Sequence, residues 1–249
     1  MNFKILRFEI IDSTNTEAIK QAKLGADEGV CIVAREQTAG RGRHGRTWNS
    51  AAANGLYFSI VLRPSLKMRF LPLVTLMMGV AVHDTLIELG IKPDIKWVND
   101  ILVNEKKISG ILAETVDTSK GLAVIVGVGI NLRSSNFPPE IADIATSVKT
   151  EIGKSITSEE ISVILTRFLG YFYDILSGEN GPHEIRSEWQ KRSSYAVGKN
   201  VRIVLENEAI TGVTDGLEVN GALRLKTPKG ELKVIQAGDV EQLRPNPSG

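Results

Sequence analysis

The chain has a single cysteine, Cys31, among its 249 residues. That excludes an internal disulfide and any cysteine-cluster metal site. Its neighbours Val30, Ile32, Val33 and Ala34 make it a buried small hydrophobe rather than a nucleophile. Charge of one sign is lacking too: 30 Lys and Arg face 29 Asp and Glu, a net +1. A surface that coats nucleic acid is excluded by that balance, and only local basic loops remain. No apolar stretch follows Met1-Asn2-Phe3-Lys4, so no secretory signal is expected. The most apolar run, Phe70 to Val82, stops at His83-Asp84, short of a bilayer's width. A cytoplasmic protein with no membrane contact is the expectation. Nucleotide fingerprints are missing as well. There is no Walker-type Gly-x4-Gly-Lys-Ser/Thr. Gly127-Val128-Gly129-Ile130-Asn131 lacks the third glycine of a dinucleotide fold, and a proline-containing loop follows it. What is left, 42% hydrophobic and 24% charged, is the composition of a globular chain with ample core.

What is present in excess is one loop. Between Glu36 and Trp48 three glycines (Gly40, Gly42, Gly45) alternate with three arginines (Arg41, Arg43, Arg46). Glycine bares backbone N–H groups, and arginine offers a planar charged fork for phosphate or carboxylate. A small anionic ligand, nucleic-acid phosphates and plain solvent all fit such a loop. Phe3 to Ile11 reads as a strand, and Thr14 with Glu17 has capping-box spacing for a short helix ending at Gly25. Capping alone and a ligand role both remain open for Ser13-Thr14-Asn15. Val30 to Ala34 and Leu56 to Leu62 read as strands on either side of the loop. Leu71 to Leu89 is an apolar helix with Met77 and Met78 as core filler. His83 and Asp84 are expected on its polar side, and adjacent helical residues do not face each other.

Ile95 to Val98 is a short strand. Ile101 to Val103 and Ile108 to Glu114 form a hairpin, and Leu122 to Val128 is a strand buried on both faces. Asn136 to Pro139 is loop. Thr157 with Glu160 opens a helix running to Leu176, and a more polar helix spans His183 to Tyr195. After Gly198 the pattern changes to short strands: 201–205, 209–213, 216–219, 222–226 and 231–235, separated by turns such as Asn220-Gly221. That is the signature of a small barrel, with a boundary near Tyr195 to Gly198 and a frayed tail from Pro245 to Gly249.

In this order the motifs resemble biotin protein ligase. The residues that carry the likeness are Ser13-Thr14-Asn15, then Gln37 with Gly40-Arg41-Gly42-Arg43-His44-Gly45-Arg46 and Trp48. Lys96-Trp97-Val98-Asn99-Asp100, Lys107 with Ser109-Gly110-Ile111-Leu112, and Gly127 to Asn131 follow. One departure is Val98, where the family usually has Pro. The resemblance implies an α+β fold: a mixed β-sheet flanked by helices, like class II aminoacyl-tRNA synthetases, followed by a small SH3-like β-barrel. The domains expected are 1–196, which bind biotin and ATP, and 197–245. It also implies the short form, without an N-terminal helix-turn-helix repressor domain and without specific DNA binding. Many relatives dimerise through sheet edges, which leaves a homodimer open.

The activity implied is two-step. Biotin's carboxylate and ATP give biotinyl-5'-AMP, and a lysine of a biotin carboxyl carrier domain of a biotin-dependent carboxylase then takes the biotinyl group. A carboxylate is ionised at neutral pH, so alignment and charge stabilisation matter more than a base. By matching, Lys96 and Arg43 are the catalytic candidates. Ser13, Thr14, Asn15, Gln37, Gly40, Arg41, Gly42, Gly110 and Gly127, again with Arg43 and Lys96, are expected around biotin. Arg41, Arg43, Arg46, Trp48, Asn99 and Asn131 are expected around the nucleotide. Trp48 and Trp97 supply wall or ordinary core, and Lys107 meets ligand or solvent. Asn99 and Asp100 orient Lys96 or a Mg²⁺ carried in with ATP; no resident metal site is expected. Within the same fold family, a lipoate ligase or octanoyl transferase is the nearest rival. A nucleic-acid module using the arginine loop is the more distant one.

Overall fold

The computed structural model describes residues 1–135, 137–205 and 208–242. Asn136 of the expected loop and the expected frayed tail, Pro245 to Gly249, lie outside these. In chain order the elements are β1 (Lys4–Ile11), α1 (Thr14–Lys23), β2 (Val30–Gln37), β3 (Gly55–Leu62), α2 (Leu73–Glu88) and β4 (Asp94–Lys96). Then come β5 (Asp100–Val103), β6 (Lys106–Thr118), β7 (Gly121–Asn131), α3 (Pro139–Ala142), α4 (Val148–Ile152), α5 (Ser158–Ser177) and α6 (Gly181–Lys191). Five strands close the described chain: β8 (Val197–Val204), β9 (Ala209–Leu217), β10 (Leu223–Lys226), β11 (Leu232–Ile235) and β12 (Asp239–Gln242).

β1 to β7 form one mixed sheet in the order β1-β2-β3-β7-β6-β5-β4. Only β1 and β2 are parallel, and α1 is the crossover between them. The rest is antiparallel. The second sheet, β11-β10-β9-β8-β12, is antiparallel throughout. The segment expected as a separate strand at 216–219 is instead the end of β9, because backbone pairing with β8 continues to Asp215 and with β10 to Leu217.

The period-two alternation of β7 decides where the two faces go. Val124, Val126, Val128 and Ile130 point into the main core beneath α2 and α5. Ala123 and Ile125 point the other way and pack with Ala18 and Ala22 of α1. α1 has only 10 residues, so it covers half of that face. Beyond it β7 continues with Gly127, which α1 touches through Asn15 of its first turn, and then with Gly129 and Asn131. Register aligns Ser59, Gly127 and Leu112 in one row, and Tyr57, Gly129 and Gly110 in the next. The glycines lower the floor there, and a cavity opens above it.

α2 is buried nearly all round: apart from half-buried Thr75 and Asp84 only its last two residues are exposed, so the polar side expected to carry His83 and Asp84 is missing at His83. Together with the preceding turn it spans Met68–Glu88, long and apolar enough to cross a bilayer by composition, which the shorter run read from the sequence is not. Here it is the centre of the core, packed on the sheet, α5 and α6. His83 is buried and its Nδ1 lies 2.9 Å from Asp84 Oδ1, which corrects the expectation that the two stay apart. Arg192, just past the end of α6, donates to both Asp84 oxygens at 2.7 and 2.8 Å. Burial alone would push the Asp84 carboxyl up, but the bonds from His83 and Arg192 outweigh it and hold it below the usual range. α5 opens with the capping box expected of Thr157 and Glu160. The one expected at Thr14 and Glu17 is not formed. Ser13 occupies the N-cap without a side-chain bond, and the Thr14 hydroxyl bonds Gln37 instead.

Candidate active site

The cavity above the glycine floor has a volume of about 730 Å³. Its closed end is neutral and polar. Thr14 N–H and Oγ1 both donate to Gln37 Oε1, at 2.7 and 3.0 Å, and Gln37 Nε2 donates to Ser50 Oγ at 2.7 Å. Ser59 Oγ lies 2.8 Å from Thr14 Oγ1 and 2.6 Å from Asn15 Oδ1. Asn15 Nδ2 donates to Leu112 O at 3.2 Å and Glu114 Oε2 at 2.8 Å. Thr14 and Ser59 thus share two hydroxyl protons among three oxygen contacts. The cluster has a surplus of lone pairs, which suits a ligand that brings N–H donors. Ser13 and Gln37 also line this end. Gly127 is required by close approach: a Cβ there would stand 2.2 Å from Asn15 Oδ1.

The open end is cationic. Lys96 ends β4 and Lys107 is the second residue of β6; the β4–β5 pairing brings the first to Asp100 and the β5–β6 pairing the second. Lys107 Nζ is 2.6 Å from Asp100 Oδ1, and Lys96 Nζ is 3.8 Å from Oδ2. The arginine loop folds over from the other side, closed by an Arg41↔Thr47 bridge and a Gly42 N–H to Arg46 O bond of 2.7 Å. Arg41 donates to Glu114 Oε1 at 2.6 Å. Arg43 donates to Asn99 Oδ1 at 2.9 Å and lies 3.9 Å from Asp239 Oδ1. Arg46 pairs with Asp239 of β12. Burial lowers the Arg43 pKa from its ordinary value; Asp239 and Asp100 oppose that shift and Arg46 adds to it. Five cations therefore border one cavity, each held by a partner that an anionic ligand could relieve.

Trp48 lies flat between these ends. Cβ atoms at Gly129 and Gly110 would meet its ring at 2.3 and 3.0 Å, and Lys107 Nζ sits 5.5 Å from the ring centre. Its Nε1–H is buried with no partner among the described residues. Trp97 is 2% exposed and donates to Gly221 O at 3.0 Å, so it ties the second sheet to the first while one face lines the cavity. Asn131 spends its amide on Lys107 O and Thr146 O, at 3.3 and 3.0 Å, and lines the floor. Phe137, Ile141 and Ile144 add an apolar wall. Thus Ser13, Thr14, Asn15, Gln37, Arg41, Gly42, Arg43, Arg46, Trp48, Lys96, Asn99, Gly110, Gly127 and Asn131 all border the same space. Gly40 does not; it packs beneath Trp48 O, which a Cβ would meet at 2.4 Å. The Trp97–Val98 peptide, at the family's usual proline position, is cis.

Sequence reasoning missed Ser59, Glu114 and Asp239. Ser59 had a signal, as the one serine or threonine in a strand buried at every position. A carboxylate in a half-buried strand marks Glu114. Asp239 follows the last strand read from the sequence and had none. Among the described residues no group of three or more His, Cys, Asp or Glu side chains could hold a metal ion. Of the carboxylates that line the cavity, Asp100 lies between Lys96 and Lys107, where a Mg²⁺ arriving on a nucleotide would meet it.

Comparisons with known proteins give the chain's family. The model of the Biotin/lipoate A/B protein ligase family matches residues 7–131, and that of the Biotin protein ligase C terminal domain matches 196–242. The Bifunctional ligase/repressor BirA of Bacillus spizizenii is 38% identical over 240 residues, 94% of this chain and 72% of the relative. The Biotin--[acetyl-CoA-carboxylase] ligase of Paracoccus denitrificans is 34% identical over 92% of this chain and 96% of its own. Among solved structures, the biotin protein ligase from Aquifex aeolicus in complex with biotin and ATP superposes with a TM-score of 0.83 at 31% identity, covering 97% of this chain and 99% of that one. The chain belongs to the biotin/lipoate A/B protein ligase family, among its biotin protein ligases.

Proposed function

We propose that this cavity joins biotin to AMP and passes the biotinyl group to a lysine of a biotin carboxyl carrier domain, as in the acetyl-CoA carboxylase ligases it resembles. The observation that carries the reading is the division of one cavity into a neutral, lone-pair-rich end and a five-cation end. A cyclic urea has N–H donors for the first, and its chain's carboxylate with a nucleotide's phosphates suits the second. In the first step a carboxylate oxygen attacks the α-phosphorus, the bond to the bridging oxygen breaks, and pyrophosphate leaves with that electron pair. In the second a carrier lysine amine attacks the anhydride carbonyl, AMP departs, and the amine's proton goes to solvent.

On this reading Lys96 and Arg43 stabilise the charge that gathers at the α-phosphate, and Arg46 and Lys107 hold the departing phosphates. Trp48 and Phe137 border the adenine, and Thr14, Asn15 and Gln37 the ureido ring. Asn99 positions Arg43, since its own Nδ2 is fixed to Ile111 O at 2.9 Å. No enzyme nucleophile is needed, in keeping with Cys31: burial pushes its thiol up to about 12. Residues 1–196 would carry this chemistry and 197–245 would close the loop through Asp239, with the cytoplasm as the compartment. Pyrophosphate release that requires biotin and ATP together, followed by labelling of a carrier domain, tests the proposal. Release with lipoate but not with biotin would overturn it.

A further inference from the structure

Glu114 has no part in the chemistry above, yet its carboxylate is divided between the two ends of the cavity. Oε2 accepts from Asn15 Nδ2 at 2.8 Å, and Oε1 accepts from Arg41 Nη2 at 2.6 Å. Asn15 belongs to the buried polar cluster, and Arg41 is the first arginine of the loop that roofs the site. Glu114 comes from β6, so a fixed strand connects a fixed cluster to a loop.

The three loop arginines are held unequally. Arg43 bonds a neutral amide, and its nearest carboxylate, Asp239, is 3.9 Å away. Arg46 pairs with Asp239, whose side chain is 40% exposed. Arg41 alone is held by a carboxylate that is itself fixed. The other oxygen of Glu114 is bonded to Asn15, and the remaining groups of Asn15 are bonded to Leu112 O and Ser59 Oγ. An arriving phosphate can recruit Arg43 and Arg46 by exchanging weak or exposed partners. Recruiting Arg41 would break a charge-assisted bond at the head of a buried network, the costlier exchange.

We infer that Glu114 is a positioning residue that clasps Arg41, keeping the base of the loop closed over the polar end while the other two arginines serve the phosphates, so that the adenylate stays bound until a carrier arrives. This rests on the function proposed above. Loss of the clasp lets the loop open and the intermediate escape, while the groups that make it remain in place.

The test preloads the full chain with biotin and labelled ATP, removes free nucleotide, and follows release of labelled biotinyl-5'-AMP without carrier. Pyrophosphate formation is read in the same samples. Glu114→Gln should release adenylate roughly 10-fold faster, the loss expected of one charge-assisted bond, while the pyrophosphate burst changes less than about threefold. Arg41→Gln, made at an exposed loop residue, removes the same bond from the other side and tests it even if the strand variant folds poorly. Its adenylate release should match that of Glu114→Gln, the burst being compared only in Glu114→Gln because Arg41 itself lines the cavity, and the double variant should be no leakier than either. Release at the wild-type rate in both variants, effects that multiply, or a Glu114→Gln burst that falls as far as retention would each overturn the inference. A wild-type chain that forms no adenylate would instead sink the function on which it rests.

Discussion

Gly127→Ala is a one-carbon change with a calculable outcome. The new methyl would sit 2.2 Å from Asn15 Oδ1, 2.9 Å from its Cγ and 3.2 Å from its Nδ2. A flexible side chain would swing away at little cost, but Asn15 is 3% exposed and anchored at both ends of its amide. Ser59 holds the oxygen at 2.6 Å; Leu112 O and Glu114 hold the nitrogen at 3.2 and 2.8 Å. Clearing the clash requires a shift on the order of 1 Å, since ordinary contacts begin near 3.4–4 Å. That shift weakens three hydrogen bonds, one of them to a charged group. At about 1 kcal/mol for a neutral bond and roughly 1.5–3 for a charged one, the disturbance is on the order of 2–4 kcal/mol. If half reaches the ligand, biotin affinity falls about 10-fold or somewhat more, because each 1.4 kcal/mol is a factor of ten. Calorimetric titration with biotin measures this directly, with thermal denaturation alongside to report the share taken by the fold. Unchanged biotin affinity together with unchanged stability would refute the close-approach argument for this glycine.

Other consequences are simpler. Gly79→Ala, in the middle of α2, should raise stability by about 0.5–1 kcal/mol, read as a higher midpoint in thermal melts: its Cβ meets only Ile95 and Ile111, at 3.6 and 3.8 Å, and alanine is the better helix former. Thr157→Ala should cost about 1 kcal/mol in urea unfolding by removing the capping box of α5. Cys31 should resist thiol reagents in the native state and react on unfolding. Its thiol is raised from 9.0 to about 12, so the folded state holds that proton where the unfolded state loses it. This contribution to stability is complete below about pH 9 and is lost as pH rises toward 12; Cys31→Ala should flatten that alkaline decline.

Much of the site was legible because its residues sit in loops and strand ends with unusual chemistry. Alternating arginine and glycine around Arg43, a lysine at the end of a strand, and glycines in the otherwise branched run of β7 all stand out from propensity. What escaped depended on distant partners. Thr14 and Glu17 have capping-box spacing, yet Gln37, 23 residues away, takes the Thr14 hydroxyl. His83 and Asp84 meet at a carboxylate that Arg192, 108 residues beyond Asp84, also holds. β12 follows a turn with no hydrophobic alternation long enough to mark a strand, and its Asp239 reaches the arginine loop. The short helices α3 and α4, between the expected loop and the capped helix, leave too few residues for a 3.6-residue period to show.

The central claim is that positive charge gathered at Lys96 and Arg43 joins a carboxylate to a nucleotide without an enzyme-bound intermediate. A single-turnover measurement of pyrophosphate release from biotin and ATP tests it most directly, comparing the wild type with Lys96→Ala. Loss of one preorganised donor at the developing charge predicts a fall on the order of 10²–10³ in rate, with the fold intact by circular dichroism. Release by Lys96→Ala at the wild-type rate, or a biotinyl group found covalently attached to the enzyme on the way to the carrier, would contradict the account.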